Sequence, residues 1–118
     1  MELGGVHHVS INVSNNAAAA KFYTDTLGLE EIPRPDFGIP GTWLKSANGI
    51  EIHLIEIEDW VPPKGQHYAF AVADLDAAIG EMHDKGIKIG DAIDIPDTGA
   101  RQAFTFDPAG NMVEFNQS

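Results

Sequence analysis

The stretch His8-Val9-Ser10-Ile11-Asn12-Val13 is met again, 59 positions later, as His67-Tyr68-Ala69-Phe70-Ala71-Val72. Both alternate. Val9, Ile11 and Val13 share one face of the first, and His8, Ser10 and Asn12 the other. Tyr68, Phe70 and Val72 share one face of the second, and His67, Ala69 and Ala71 the other. Period-two alternation reads as a half-buried strand. The segments after the two strands are also alike. Ser14-Asn15-Asn16 supplies an N-cap for a short helix over Ala17 to Leu27, with Ala20, Tyr23 and Leu27 facing a core and Gly28 as its stop. Asp74 caps a second helix over Leu75 to Lys85, stopped by Gly86.

Outward from these, Leu29 to Ile32 reads as a brief strand, and Pro33, Pro35 and Pro40 make the next stretch a loop. Thr42 to Ser46 and Ile50 to Ile57 are strands joined at Ala47-Asn48-Gly49, where Asn-Gly is a strong hairpin signal. Val61-Pro62-Pro63-Lys64-Gly65 is a linker. In the second half, Ile87 to Ile93 reads as a strand and Pro96-Asp97-Thr98-Gly99 as a turn. Ala103 to Phe106 and Met112 to Asn116 then form a hairpin around Asp107-Pro108-Ala109-Gly110. Gly49 and Gly110 are 61 apart, as are His53 and Glu114, so the offset drifts by only two residues across the unit. The class is α+β: a duplicated strand–helix–strand–strand–strand unit in a single domain over residues 1–118, with module 1 about 1–60 and module 2 about 66–118.

Composition narrows the function. Seven basic against 18 acidic residues give a net charge of −11. Nucleic acid binding needs clustered Lys and Arg, and an anionic membrane surface repels such a chain. With no cysteine, thiolate catalysis and cysteine-ligated metals are excluded. No apolar run approaches the roughly 20 residues of a membrane helix. The first residues, Met1-Glu2-Leu3-Gly4-Gly5, carry no signal-peptide pattern. A cytoplasmic protein is the expectation.

The duplication sets four residues at repeat-related places: His8 and His67 on the first strands, His53 and Glu114 on the last. If the halves curve into one cup, these side chains meet. Three imidazoles and a carboxylate suit a divalent transition metal, zinc, nickel, manganese or iron(II), better than calcium, which wants more oxygens. A lone strand histidine is ordinarily a packed or solvated residue; four candidates, three histidines and a glutamate, at repeat-related positions favour a ligand set. His7 should face away from His8 and be structural. His83 reads as solvated, and Glu56 with Glu58-Asp59 as a solvated strand end. Glu51 shares alternation with His53 and could line a substrate site. Arg34, Lys45 and Arg101 are candidates for gripping an anion, Arg101 because it precedes the last hairpin, although surface solvation is the ordinary role of each. Trp43, Trp60 and Phe37 suit a pocket wall, a dimer contact or the core.

The segments His8 to Val13, Lys21-Phe22-Tyr23 with Leu27-Gly28-Leu29, Ile52-His53-Leu54-Ile55, His67 to Asp74, and Phe106-Asp107-Pro108-Ala109-Gly110-Asn111-Met112-Val113-Glu114-Phe115 together resemble the vicinal oxygen chelate superfamily, which includes glyoxalase I, epimerases, extradiol dioxygenases and bleomycin-resistance proteins. The resemblance spans essentially the whole chain. It implies two βαβββ modules forming an eight-stranded open cup around one metal. It also implies that His8, His67 and Glu114 take the family's metal positions and His53 the fourth. Asn15-Asn16 stands where the family commonly has Asp-Leu. A symmetric homodimer acting on a small-molecule substrate is implied as well.

Three functions follow as expectations. The first is metal-dependent isomerase or lyase chemistry, with Glu114 loosening to carry a proton. The second is an extradiol-type ring-cleaving dioxygenase on two histidines and a carboxylate; a fourth ligand at His53 argues against it, and His53 turned away from the metal would favour it. The third is metal-free binding or sequestration of a drug or metabolite.

Overall fold

The computed structural model describes all residues, 1–118, as two compact units, Met1–Val61 and Pro62–Ser118. Each is a β-α-β-β-β module. In the first, β1 (His8–Val13), α1 (Asn16–Lys21), β2 (Glu30–Ile32), β3 (Gly41–Lys45) and β4 (Glu51–Glu56) make a four-stranded sheet in the order β1-β4-β3-β2. In the second, β5 (His67–Ala71), α2 (Leu75–Asp84), β6 (Ile93–Asp94), β7 (Arg101–Phe106) and β8 (Met112–Gln117) repeat that order as β5-β8-β7-β6. The first strand of each module lies parallel to its last, and the remaining pairs are antiparallel. No helix is long and apolar enough to cross a membrane.

One sheet face of each unit packs on its helix. In the first unit Val13, Leu44, Ile52 and Leu54 are buried with Ala19, Phe22 and Tyr23; in the second Ala103, Val113 and Phe115 are buried with Leu75 and Met82. A buried side chain of the Leu or Val class stabilises by about 2 kcal/mol. The helices start where the caps predict. Asn15 Oδ1 accepts from Ala18 N, and Asp74 Oδ1 from Ala77 N, both at 3.0 Å. A second cap comes from the strand ends. Asn16 N donates to Glu56 Oε2 at 2.8 Å, and Leu75 N donates to Gln117 Oε1 at 2.7 Å. Glu56 is therefore a helix anchor rather than a solvated edge, and the duplication extends to the tie between helix and sheet.

Three elements differ from expectation. The first helix turns π-helical over Phe22–Thr26, with Leu27 N donating to Phe22 O at 3.0 Å. Thr24 Oγ1 takes the Ala20 carbonyl at 2.8 Å, which diverts the regular ladder. This turn buries Phe22 and Tyr23 and leaves Ala20 and Leu27 half-exposed. The strand expected over Ile87 to Ile93 shrinks to Ile93–Asp94, preceded by one bridge from Ile89 to Thr105, because Gly90 and Asp91 break the run. β7 starts at Arg101, so that residue is in the sheet rather than in a preceding loop.

The Asp107–Asn111 turn shows why its residues recur together. Buried Asp107 accepts from Ala109 N and Asn111 N through Oδ1 and from Asn111 Nδ2 through Oδ2, each at 2.9 Å. Gly110 supplies φ of +85°. The turn fixes where β8, and with it Glu114, begins.

Candidate functional site

Register decides which side chains meet. In the first unit β1 pairs with β4 so that His8 faces Glu51 and Ser10 faces His53, while β3 sets Trp43 opposite His53. Paired residues share a sheet face. His8, Ser10, Trp43, Glu51, His53 and Ile55 therefore lie together on the face away from the helix. The rings stack: His8 on His53 with centroids 4.2 Å apart and planes 16° apart, and His53 on Trp43 at 4.2 Å and 9°. His53 is buried at the middle of this stack.

Hydrogen bonds restrict the protons. His53 Nε2 lies 2.9 Å from Glu51 Oε1. A carboxylate only accepts, so Nε2 carries the proton and a neutral His53 keeps its lone pair on Nδ1. That bond is the main reason the Glu51 carboxyl lies below its ordinary pKa; partial burial pushes the other way, and His7, His53 and Lys45 add attraction. His7 and His8 share one hydrogen bond between their Nδ1 atoms at 2.9 Å, so one donates and the other accepts. The expectation that His7 faces away from His8 does not hold: His7 precedes β1, and strand alternation does not govern it.

The second unit repeats the plan with a carboxylate. β8 sets Glu114 opposite Ala69 of β5 and Phe104 of β7. His67, one diagonal away, brings Nε2 to 3.1 Å from Glu114 Oε1, with its ring edge-on to Phe104 at 5.3 Å. Phe104 thus holds the place that Trp43 holds in the first unit. Asn116 Nδ2 donates to Glu114 Oε2 at 2.9 Å, and Glu114 is buried. His67 Nδ1 donates to Gly65 O at 2.9 Å. A neutral His67 therefore presents the lone pair of Nε2 to a carboxylate oxygen. Two lone pairs at this distance repel, and the pair is completed by a cation: a proton on Nε2, or a metal ion bound to both atoms.

The donors fit a metal. An ion with bonds of about 2.1 Å sets neighbouring donors about 3.0 Å apart in an octahedron and about 3.4 Å in a tetrahedron. The His67–Glu114 separation of 3.1 Å lies in that interval. A histidine ligand commonly gives its other N–H to a carbonyl or carboxylate, which fixes the lone pair on the metal. His67 does this with Gly65, and His53 has the equivalent bond with Glu51. Within neither unit do three or more His, Asp or Glu side chains stand together as a metal cage. The four expected ligands come as two pairs, His8 with His53 and His67 with Glu114.

Arg101 is held elsewhere. Its Nη1 and Nη2 donate to Asp76 Oδ2 and Oδ1, both at 3.1 Å, and Nε lies 3.5 Å from Asp94. Arg34, in contrast, borders a hollow of about 240 Å³ in the first unit, lined also by Ser10, Phe37, Ile39, Trp43, His53 and Ile55. The proline-rich loop gave no sign in the sequence that Arg34 returns over the sheet; only the glycine at position 41, which leaves room for it, is a signal.

A family model described as the Glyoxalase/Bleomycin resistance protein/Dioxygenase superfamily matches residues 5–115. YwkD, an uncharacterized protein of Bacillus subtilis (strain 168), is 33% identical over 120 residues, 92% of either chain. A solved Bacillus anthracis protein ascribed to the glyoxalase family is 32% identical, with a TM-score of 0.87 over 100% of this chain and 98% of its own. TnmS3, an antibiotic binding protein from Streptomyces sp. CB03234, is 26% identical, with a TM-score of 0.80 over 99% and 98%.

Proposed function

The chain belongs to the Glyoxalase/Bleomycin resistance protein/Dioxygenase superfamily, and from that premise we propose that it is a metal-dependent enzyme moving a proton on a small substrate with two neighbouring oxygens. The ligand set in this reading is His8, His53, His67 and Glu114, with His53 using Nδ1. The supporting observation is the opposition of His67 Nε2 and Glu114 Oε1, which a cation completes. The bound metal, zinc, nickel, manganese or iron, supplies Lewis-acid polarisation of the substrate oxygens.

The proton work falls to Glu114. Asn116 holds Oε2, so Oε1, the oxygen that faces His67, would be the one to leave that contact and accept a proton from a carbon beside a carbonyl, then return it to the neighbouring carbon. Burial keeps water from competing for that oxygen. Trp43 and the apolar side chains around His53 give the substrate body a wall. Glu51 holds His53 in one tautomer and is a positioning residue here.

One observation favours a second reading. His53 is stacked between the rings of His8 and Trp43, and if it serves there as packing and not as a ligand, the remaining set of His8, His67 and Glu114 is the two-histidine, one-carboxylate arrangement that suits iron(II) and dioxygen. The similarity to an antibiotic binding protein supports a third, in which the hollow sequesters a ligand. We also infer a symmetric homodimer, since superfamily members often pair; light scattering of a monomer at micromolar concentration would contradict it.

The deciding experiment is elemental analysis of protein purified without chelator, followed by assays with methylglyoxal–thiol adducts and, under air, catechols. Stoichiometric metal that is lost in His67→Ala and Glu114→Ala, with isomerisation of the adducts, supports the main reading. Iron-dependent catechol cleavage selects the second. Protein that holds no metal and gains no thermal stability from nickel, zinc, manganese or iron removes both enzyme readings.

A further inference from the structure

We propose that Arg34 and the aromatic hollow beside it bind the carboxylate of a small, mainly apolar monoanion, with Arg34 holding the anionic end and Trp43, Phe37 and Ile39 holding the body. The proposal names the substrate class of the site described above. It rests on that reading only in calling the ligand a substrate; the binding itself needs no metal.

Arg34 has no carboxylate partner within the chain. Its guanidinium carbon sits 4.9 Å from the centre of the Phe37 ring. Its Nε is buried without a hydrogen-bond partner, and none of the ion pairs of the chain includes it. Of the two arginines, Arg101 is paired with Asp76 and Asp94, and Arg34 with no carboxylate of the chain. A buried donor with no acceptor is costly, and an arriving carboxylate removes that cost with two parallel N–H···O bonds that Lys could not supply.

The seat is also shaped for it. Gly41 lies directly under the guanidinium: a Cβ there would stand 2.7 Å from Cζ and Nη2 of Arg34 and would collide with the Leu54 carbonyl. Pro33 and Pro35 flank Arg34 and Pro40 precedes Gly41, so the loop carrying it loses little freedom on binding.

Size and charge choose the ligand. A hollow of about 240 Å³ holds roughly eight waters, enough for one ring with a short substituent. Ile39, Ile55, Phe37 and Trp43 line it, with Arg34, the Ser10 hydroxyl and the His53 ring as its polar groups. One positive charge in a chain of net −11 matches one negative charge and opposes a phosphate dianion. A carboxylate on a flat or compact apolar body meets each condition.

The test uses the full chain in EDTA, so that metal binding is not involved, and follows the Trp43 indole N–H by NMR during titration with benzoate, cyclohexanecarboxylate and their neutral amides. Saturable shifts are expected for the acids, with the amides and Arg34→Gln weaker by roughly tenfold or more and Arg34→Lys in between. The acid–amide comparison on the wild-type chain stands even if a variant folds poorly. Acids and amides that bind alike, or no shift with any acid up to its solubility, would overturn the proposal. Carboxylate binding by a chain that takes up no metal would leave it intact and remove the metal-dependent reading instead.

Discussion

His67 Nε2 lies 3.1 Å from Glu114 Oε1 while His67 Nδ1 donates to the Gly65 carbonyl. The proton position at one end of the ring therefore fixes what the other end can offer, and what it offers is a lone pair aimed at a carboxylate. Nickel, zinc, manganese or iron(II) at about 100 times its dissociation constant should stabilise the fold by about 2.7 kcal/mol, roughly a 10 °C rise in melting temperature. Glu114→Gln keeps the shape and gives up the anionic donor. Differential scanning fluorimetry should show that rise in the wild type and almost none in Glu114→Gln or His67→Ala.

The pairing behind this was legible in the sequence to the extent that it follows strand periodicity. Spacings of 59 for His8 with His67 and 61 for His53 with Glu114 marked them as repeat-related, strand alternation left the face of His53 less clear, and the Asn-Gly and Asp-Pro-Ala-Gly-Asn turns marked the hairpins that set register. What escaped depended on contacts without a period. The π-helical turn hinges on Thr24 bonding back to Ala20. The short β6 follows from Gly90 and Asp91 interrupting an apolar run. The Arg34 seat needs Gly41, which lies next to it only in the folded unit. The bond from Glu51 to His53 was half visible, because residues two apart on a strand share a face, but the sequence could not say that His53 gives its Nε2 proton away.

Gly41→Ala tests that seat from the other side. The added methyl meets a backbone carbonyl that cannot swing aside as well as the flexible Arg34 tip. Overpacking of this kind costs about 1–3 kcal/mol. Urea unfolding should show that loss, and NMR titration with benzoate should show weaker binding than in the wild type. Unchanged stability would mean that β3 and β4 separate more readily than their register implies.

Asp107→Ala should lower stability without touching metal chemistry. It strands the amide groups of Ala109 and Asn111 and the Asn111 side chain, in a turn where Asp107 and Asn111 are buried. A loss of about 3 kcal/mol is expected. Calorimetry should report a lower melting temperature, with the upward shift on adding metal preserved in size. A variant that melts normally but no longer responds to metal would place Asp107 in the site rather than in its scaffold.

Arg101 and Asp76 should behave as a structural tie between β7 and α2, distinct from the Arg34 seat. The Arg101 guanidinium, by hydrogen bonding and then by charge attraction, holds the Asp76 carboxyl below its ordinary pKa; desolvation opposes this and is outweighed. A carboxyl lowered on folding stabilises the native state above its unfolded pKa, and that contribution disappears as pH falls through the lower, folded value. Asp76→Asn should therefore melt below the wild type near neutral pH, with the gap closing on acidification below the usual carboxylate range. The pair is exposed, so the gap is small and shrinks in salt. Calorimetry across pH checks the sign, and a gap that widens toward acid would contradict it. Arg101→Gln, measured alongside, should leave the benzoate response of Trp43 unchanged, because the donors it removes are already committed to Asp76 and Asp94.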